Sequence, residues 1–103
     1  MVAFNSVVVA GVLVSDPETS PAGTSVVLRI ERSARDGDGG KRTEVLFVRI
    51  VLHGRTAETV ARFARAGGGL LVHGRLVEDG DGRMHVEANA VQFLVGKGEA
   101  AMP

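Results

Sequence analysis

The 103-residue sequence has no Cys, Trp or Tyr, only three Pro, and four Phe as its whole aromatic complement. Without cysteine there is no disulfide framework, no thiolate ligand for zinc and no thiol nucleophile. Redox and acyl-thiol chemistry are therefore excluded, and a reducing cytoplasm suits the chain. An excess of charge of one sign is also lacking. Twelve Lys+Arg against twelve Asp+Glu leave a formal net charge of zero, so bulk electrostatics select no partner. No apolar run approaches the ~20 residues that a membrane helix needs. The N-terminus lacks the basic-then-apolar layout of a signal peptide, so a soluble cytoplasmic protein with no membrane partner is expected. At 45% apolar and 23% charged residues the balance is that of one ordinary globular domain, expected over residues 1–95, with 96–103 a short frayed tail.

What is present is mostly Val, Leu and Ile in short runs, with Gly, Asp, Pro and Ser collected between them, which is the punctuation of a β-sheet. The first run, Ser6 to Val14, breaks only at Gly11, where a strand needs a bend or a close backbone approach. It carries apolar residues on both faces, more than a barrel of this size buries alone, so a homo-oligomer is expected, a tetramer rather than a dimer. After two turn signals, Asp16-Pro17-Glu18 and Ser20-Pro21-Ala22-Gly23, a second strand runs Val26 to Ile30. Arg35 to Thr43 is polar and glycine-dense and reads as a mobile hairpin loop. The third strand, Val45 to His53, places Leu46, Val48, Ile50 and Leu52 on the core face and Val45, Phe47, Arg49, Val51 and His53 on the other.

Between Ala57 and Ala66 the apolar period becomes helical through Val60, Phe63 and Ala64, and Gly67-Gly68-Gly69 ends the helix. Strands four (Leu70 to Val77) and five (Met84 to Leu94) flank an Asp79-Gly80-Asp81-Gly82 turn, and Phe93, like Phe63, is expected in the core. Five strands with one short helix between the third and fourth is the order of an all-β, five-stranded Greek-key barrel of the oligonucleotide/oligosaccharide-binding (OB) type; periodicity alone does not establish closure, and a sandwich or an open sheet of similar strand count shares it.

Spacing by two places a ring, a guanidinium and an imidazole, those of Phe47, Arg49 and His53, in one row on the non-core face of the third strand. Such a row meets bases by stacking and phosphates by charge. The alternative is a ring packed under the long loop or in a subunit contact, and on the residues alone that is the better reading. Arg29, Arg32, Arg35, Lys41, Arg42, Arg55, Arg75 and Arg83 lie on strands or at their loops and together could line a basic groove. Arginine outnumbers lysine ten to two, which favours planar contacts to phosphates and bases. Any one of them alone is better read as a surface charge or an ion-pair partner. Met84 and His85 border the last hairpin, where a flexible thioether or a ring could touch a base; core packing of one of them is the equal alternative.

No catalytic or metal site and no cofactor is expected. His53, His73 and His85 are far apart in sequence and no His-Glu-x-x-His segment exists. The two Asp-Gly-Asp-Gly stretches lack the remaining ligands of a calcium loop.

Several segments, taken in order, resemble the bacterial single-stranded-DNA-binding proteins: Asn5 to Gly11 with Asp16-Pro17-Glu18, Pro21-Ala22-Gly23, Val48 to Arg55, Leu71 to Leu76, and Val91 to Leu94. The resemblance implies the same barrel, a homotetramer, and sequence-tolerant coating of single strands in replication, recombination and repair, with replication or repair proteins as further partners. It makes binding the better reading of the Phe47 row. Phe47 stands at a tryptophan position of the family and His53 at a phenylalanine position. The stretch after Glu18 is shorter than is common, the last hairpin has no long basic finger, and no Asp-rich tail ending in Pro-Phe follows Leu94. A weaker, more salt-dependent grip is therefore expected than in aromatic-rich relatives. Two other readings share the fold: a dimeric primosome-type accessory module that bridges replication proteins, and a structural or protein-interaction barrel whose DNA face has decayed.

Overall fold

The β-branched and leucine-rich runs all become strands in the computed structural model, which describes residues 2–94. The elements are β1 (Val7–Leu13), β2 (Glu18–Ser20), β3 (Gly23–Arg35), β4 (Lys41–Leu52), α1 (Gly54–Phe63), β5 (Gly69–Glu78) and β6 (Met84–Leu94). The expected tail 96–103 lies outside the described residues. Among these residues no helix is long and apolar enough to cross a membrane.

The strand order β1-β5-β6-β4-β3 closes on itself, because β1 also pairs with β3. β1 runs antiparallel to β5 from Val7↔Gly74 to Val12↔Gly69 and turns to β3 at Val12↔Arg29 and Leu13↔Leu28. The bend falls at Gly11. A Cβ there would stand 2.6 Å from the Arg29 carbonyl oxygen and 2.8 Å from Ile30 Cγ1, so the missing side chain is what lets the two backbones meet. On the far side a short parallel seam, Ile50↔Val86 and Val51↔Glu87, joins β4 to β6.

The result is a closed five-stranded barrel with one short helix, and β2 is a three-residue addition paired to the start of β3. β2 is absent from the sequence expectation because Glu18-Thr19-Ser20 has no apolar alternation. Its pairing rests on the turn at Pro21-Ala22, completed by Gly23 at φ +135°.

The interior is aliphatic apart from Thr24. Leu28, Ile50, Leu52, Val60, Leu70, Val72 and Val86 are fully buried, with Leu13, Val26, Ala57 and Ala64 beside them. Each full-size side chain contributes about 1.5–3 kcal/mol by leaving water.

Three expectations about the core are corrected. Leu46 is on the inner face but 58% exposed. β3 and β4 pair as far as Arg35↔Lys41, well past the last β1 partner at Arg29, so the two strands leave the barrel as an arm with nothing opposite its inner face. Phe63 is 61% exposed. The helix spans Gly54 to Phe63 rather than Ala57 to Ala66, and its buried stripe is Ala57, Val60 and Ala64, which at 3.6 residues per turn leaves Phe63 about a quarter-turn to the side. Phe93 is 37% exposed, because α1 lies chiefly over β3 and leaves a groove against β6.

The polar stretch Arg35 to Thr43 is likewise not a long loop. Its flanks are strand, and only Asp36 to Gly40 turns, closed by Asp36 N–H to Gly40 O (2.8 Å) and Gly39 N–H to Asp36 O (3.0 Å) with Gly39 at φ +90°.

Candidate nucleic-acid interface

Alternation along β3 and β4 sends Ser25, Val27, Arg29 and Glu31 to the same outer face as Val51, Arg49, Phe47 and Val45. The register then sets Arg29 directly opposite Phe47 and Val27 opposite Arg49. Phe47 is 59% exposed, a flat ring on an open sheet rather than a packing element under a loop. Arg29 is ion-paired to Glu31, two residues along the same face.

The outer face continues sideways through the parallel seam: Val51 is opposite Glu87, and Glu87 is opposite Arg75. Arg75 donates from Nε (3.2 Å) and Nη2 (2.8 Å) to Glu87 Oε1. His53 Nε2 lies 3.9 Å from Glu87 Oε2. The hydrogen bonds from Arg75, with its charge, hold the Glu87 carboxyl below the ordinary value of 4.5. The His53 ring lies over Gly23, where a Cβ would stand 3.0 Å from Nδ1, so glycine leaves the space the imidazole occupies.

Phe47, Arg49 and His53 thus share the outer face as expected, and Arg29 and Arg75 join them there with an acid attached to each. Arg35 and Lys41 face one another on the same side at the tip of the arm. Arg49, Arg55, Arg35 and Lys41 have no ion-pair partner among the described residues.

Three residues of the expected groove fall elsewhere. Arg32 and Arg42 are on the inner side of the arm, where Arg32 meets Glu44 at 3.3 Å and Arg42 bridges Glu44 (2.8 Å) and Asp36, so their charges are spent in a local network. Arg83 belongs to the β5–β6 turn, 3.8 Å from Asp81. At that turn Met84 is exposed, whereas His85 is tucked in with Nδ1 2.9 Å from Asp79 Oδ1.

Glu87 is the member of this face that the sequence reading omits. Its sequence signal is that it is the one carboxylate of the strand, set between Val86 and Ala88, but only the β5–β6 register reveals Arg75 beside it. Among the described residues no three His, Asp or Glu side chains converge to hold a metal.

Comparison with known proteins agrees with this architecture. A profile of the single-strand binding protein family matches residues 4–94. The single-stranded DNA-binding protein of Wolinella succinogenes is 32% identical over 108 residues, covering 92% of this chain and 67% of the relative. Single-stranded DNA-binding protein 3 of Listeria innocua is 34% identical over 111 residues, covering 95% and 68%. Among solved structures, a deletion mutant of the single-stranded DNA binding protein from Thermus aquaticus superposes with a TM-score of 0.78 at 27% identity, over 95% of this chain and 54% of that one. The Plasmodium falciparum SSB in complex with ssDNA superposes with a TM-score of 0.80 at 14% identity, over 92% and 98%, a likeness of fold. The chain spans about half the length of the Thermus aquaticus protein it matches.

Proposed function

The chain belongs to the single-strand binding protein family, and from that premise we propose that it binds single-stranded DNA without sequence preference on the outer face of β3 and β4. The observation that carries this reading is Phe47, a half-exposed ring opposite Arg29 and two residues from the unpaired Arg49. Every base has a π-face, so stacking on such a ring is indifferent to sequence and contributes about 1–3 kcal/mol per base. Arg49, His53 and Arg55 follow the ring toward the end of β4, and Arg35 and Lys41 precede it at the arm's tip. Together they line a path of cations for the phosphates. The activity is binding, with no reaction, and coating of exposed strands in replication, recombination and repair is the role it serves, in the cytoplasm.

Assembly supports the same reading. Val8 (62%), Val12 (46%) and Val14 (50%) are exposed along β1 and the residue that follows it, an apolar ridge that a second copy of the chain would cover. A homo-oligomer, a tetramer before a dimer, is the assembly proposed.

A salt titration of fluorescent oligo(dT) binding, combined with a molar-mass measurement, tests both parts. Affinity that falls with log salt at about 0.7 per neutralised phosphate, in a species of several chains, is the expected result. Affinity indifferent to salt, or no preference over duplex, overturns the DNA reading, and a monomer at micromolar concentration overturns the assembly.

A further inference from the structure

All four phenylalanines of this chain stand at the surface, at 37% exposure or more, while the core is closed by aliphatic side chains and Thr24. One exposed ring needs no explanation. Here, however, the rings sit beside arginine: Phe47 opposite Arg29, Phe63 with the Arg62 guanidinium 5.8 Å from its ring centre, and Phe93 in a groove bordered by Arg55. Only Phe47 belongs to the face already described.

The exposed side of α1 carries Arg55, Glu58, Thr59 and Arg62 opposite the buried Ala57 and Val60, with Phe63 at the edge of that stripe. They border a depression of about 260 Å³. Between α1 and β6 lies a second depression of about 460 Å³, bordered by Arg55, Thr59, Asn89 and Phe93. Arg55 and Thr59 belong to both, so the two form one trough with a half-exposed ring on each side. The trough also begins where the β4 row stops: His53 caps the helix and Arg55 is in its first turn. Neither Arg55 nor Arg62 is ion-paired among the described residues, and Glu58 is the one acid on the stripe.

We propose that the trough on α1, with Phe63 as its stacking ring and Arg55 and Arg62 as its cations, takes up the next bases of a single strand already held on β4. The inference rests on the single-strand-binding reading and extends it. A polyanion complements the free guanidinium groups. Flat rings on an open surface accept any base, whereas an acidic protein segment would match the charge and leave the rings without a planar partner.

Because the chain has no Trp or Tyr, Phe47→Trp and Phe63→Trp each give a single-emitter protein. The test titrates both variants with oligo(dT) of about 8 and about 35 nucleotides, lengths chosen to fall within and beyond the footprint of one OB barrel, while anisotropy of labelled oligo(dT) reports binding independently. Phe47→Trp is expected to be quenched by both lengths and Phe63→Trp by the longer one only. The double variant Arg62→Ala/Phe63→Ala should weaken the longer oligonucleotide about fivefold or more and leave the shorter unaffected. Unchanged Phe63→Trp emission at full saturation, with Phe47→Trp quenched, overturns the proposal and leaves α1 to a protein contact. If anisotropy shows no binding at either length, the single-strand reading itself fails and takes this proposal with it.

Discussion

Arg75 directs both Nε and Nη2 to a single oxygen of Glu87, so a cation on the outer face proposed for binding is held by an acid standing on the same face. An incoming phosphate must compete with that carboxylate for Arg75 and, at longer range, for His53. Glu87→Gln keeps the shape and removes the charge. Tighter oligo(dT) binding at low salt is expected, with the salt dependence steeper by about 0.7 as one more phosphate is neutralised. Unchanged or weaker binding in a folded Glu87→Gln protein would show that Arg75 is not withheld by its partner.

The same contact sets a pH dependence. The native Glu87 carboxyl lies below 4.5, so folding favours its ionised form. That contribution is fully present above the unfolded value and is lost as pH falls through the native one. Melting temperatures followed from about pH 7 to about pH 3 should fall less steeply for Glu87→Gln than for the native chain. Parallel curves would assign the acid sensitivity to other carboxylates.

Phe47→Ala and Leu28→Ala should separate binding from folding. The first removes a half-exposed ring, so about 1–3 kcal/mol of oligo(dT) affinity should go with little change in stability. The second empties a fully buried site and should cost about 2–5 kcal/mol of folding free energy in a denaturant titration. A Phe47→Ala protein that melts early but binds normally would make the ring a packing element.

Gly11→Ala places a methyl group 2.6 Å from the Arg29 carbonyl oxygen, at the point where β1 passes from β5 to β3. The obstruction is backbone rather than a movable side chain, so a loss of about 1–3 kcal/mol is expected in chemical unfolding. Native stability in that variant would mean that β1 can bend elsewhere.

Val8→Lys puts a charge at the start of the exposed β1 ridge, where Val8 is 62% accessible in the single chain. Light scattering should show a smaller assembly, with the far-ultraviolet signature of the strands retained. An assembly of unchanged mass would move the subunit contact away from this face.

The strands and the helix could be read from the sequence because alternation and turn residues are local signals, and Ile50, Leu52 and Val72 sit where their period places them. What escaped was set by partners distant in sequence. Leu46 has the same period as Ile50, yet it is exposed because β1 stops pairing at Arg29 and the arm projects beyond it. Phe63 has the i, i+3 spacing from Val60 that suits a core face, yet the buried stripe is centred on Ala57, Val60 and Ala64 and leaves the ring outside it. The outer row Phe47, Arg49 and His53 followed from spacing by two, but which of the arginines remain unpaired depends on cross-strand acids such as Glu44 and Glu87 that no periodicity identifies.

β1 is synthesised before the other strands of the barrel, yet both of its neighbours lie downstream, at Leu28 and Arg29 on one side and Gly69 to Gly74 on the other. The β3–β4 hairpin needs only a five-residue turn and can assemble as soon as it emerges. The ring of strands cannot shut until β5 and β6 have both been synthesised, and until β5 arrives the valine-rich edge of β1 is open to other chains. Circular permutation that moves β1 behind β6 would remove the interval. The permuted chain should give less aggregate during synthesis at high expression, if its new linker spans the ends without strain.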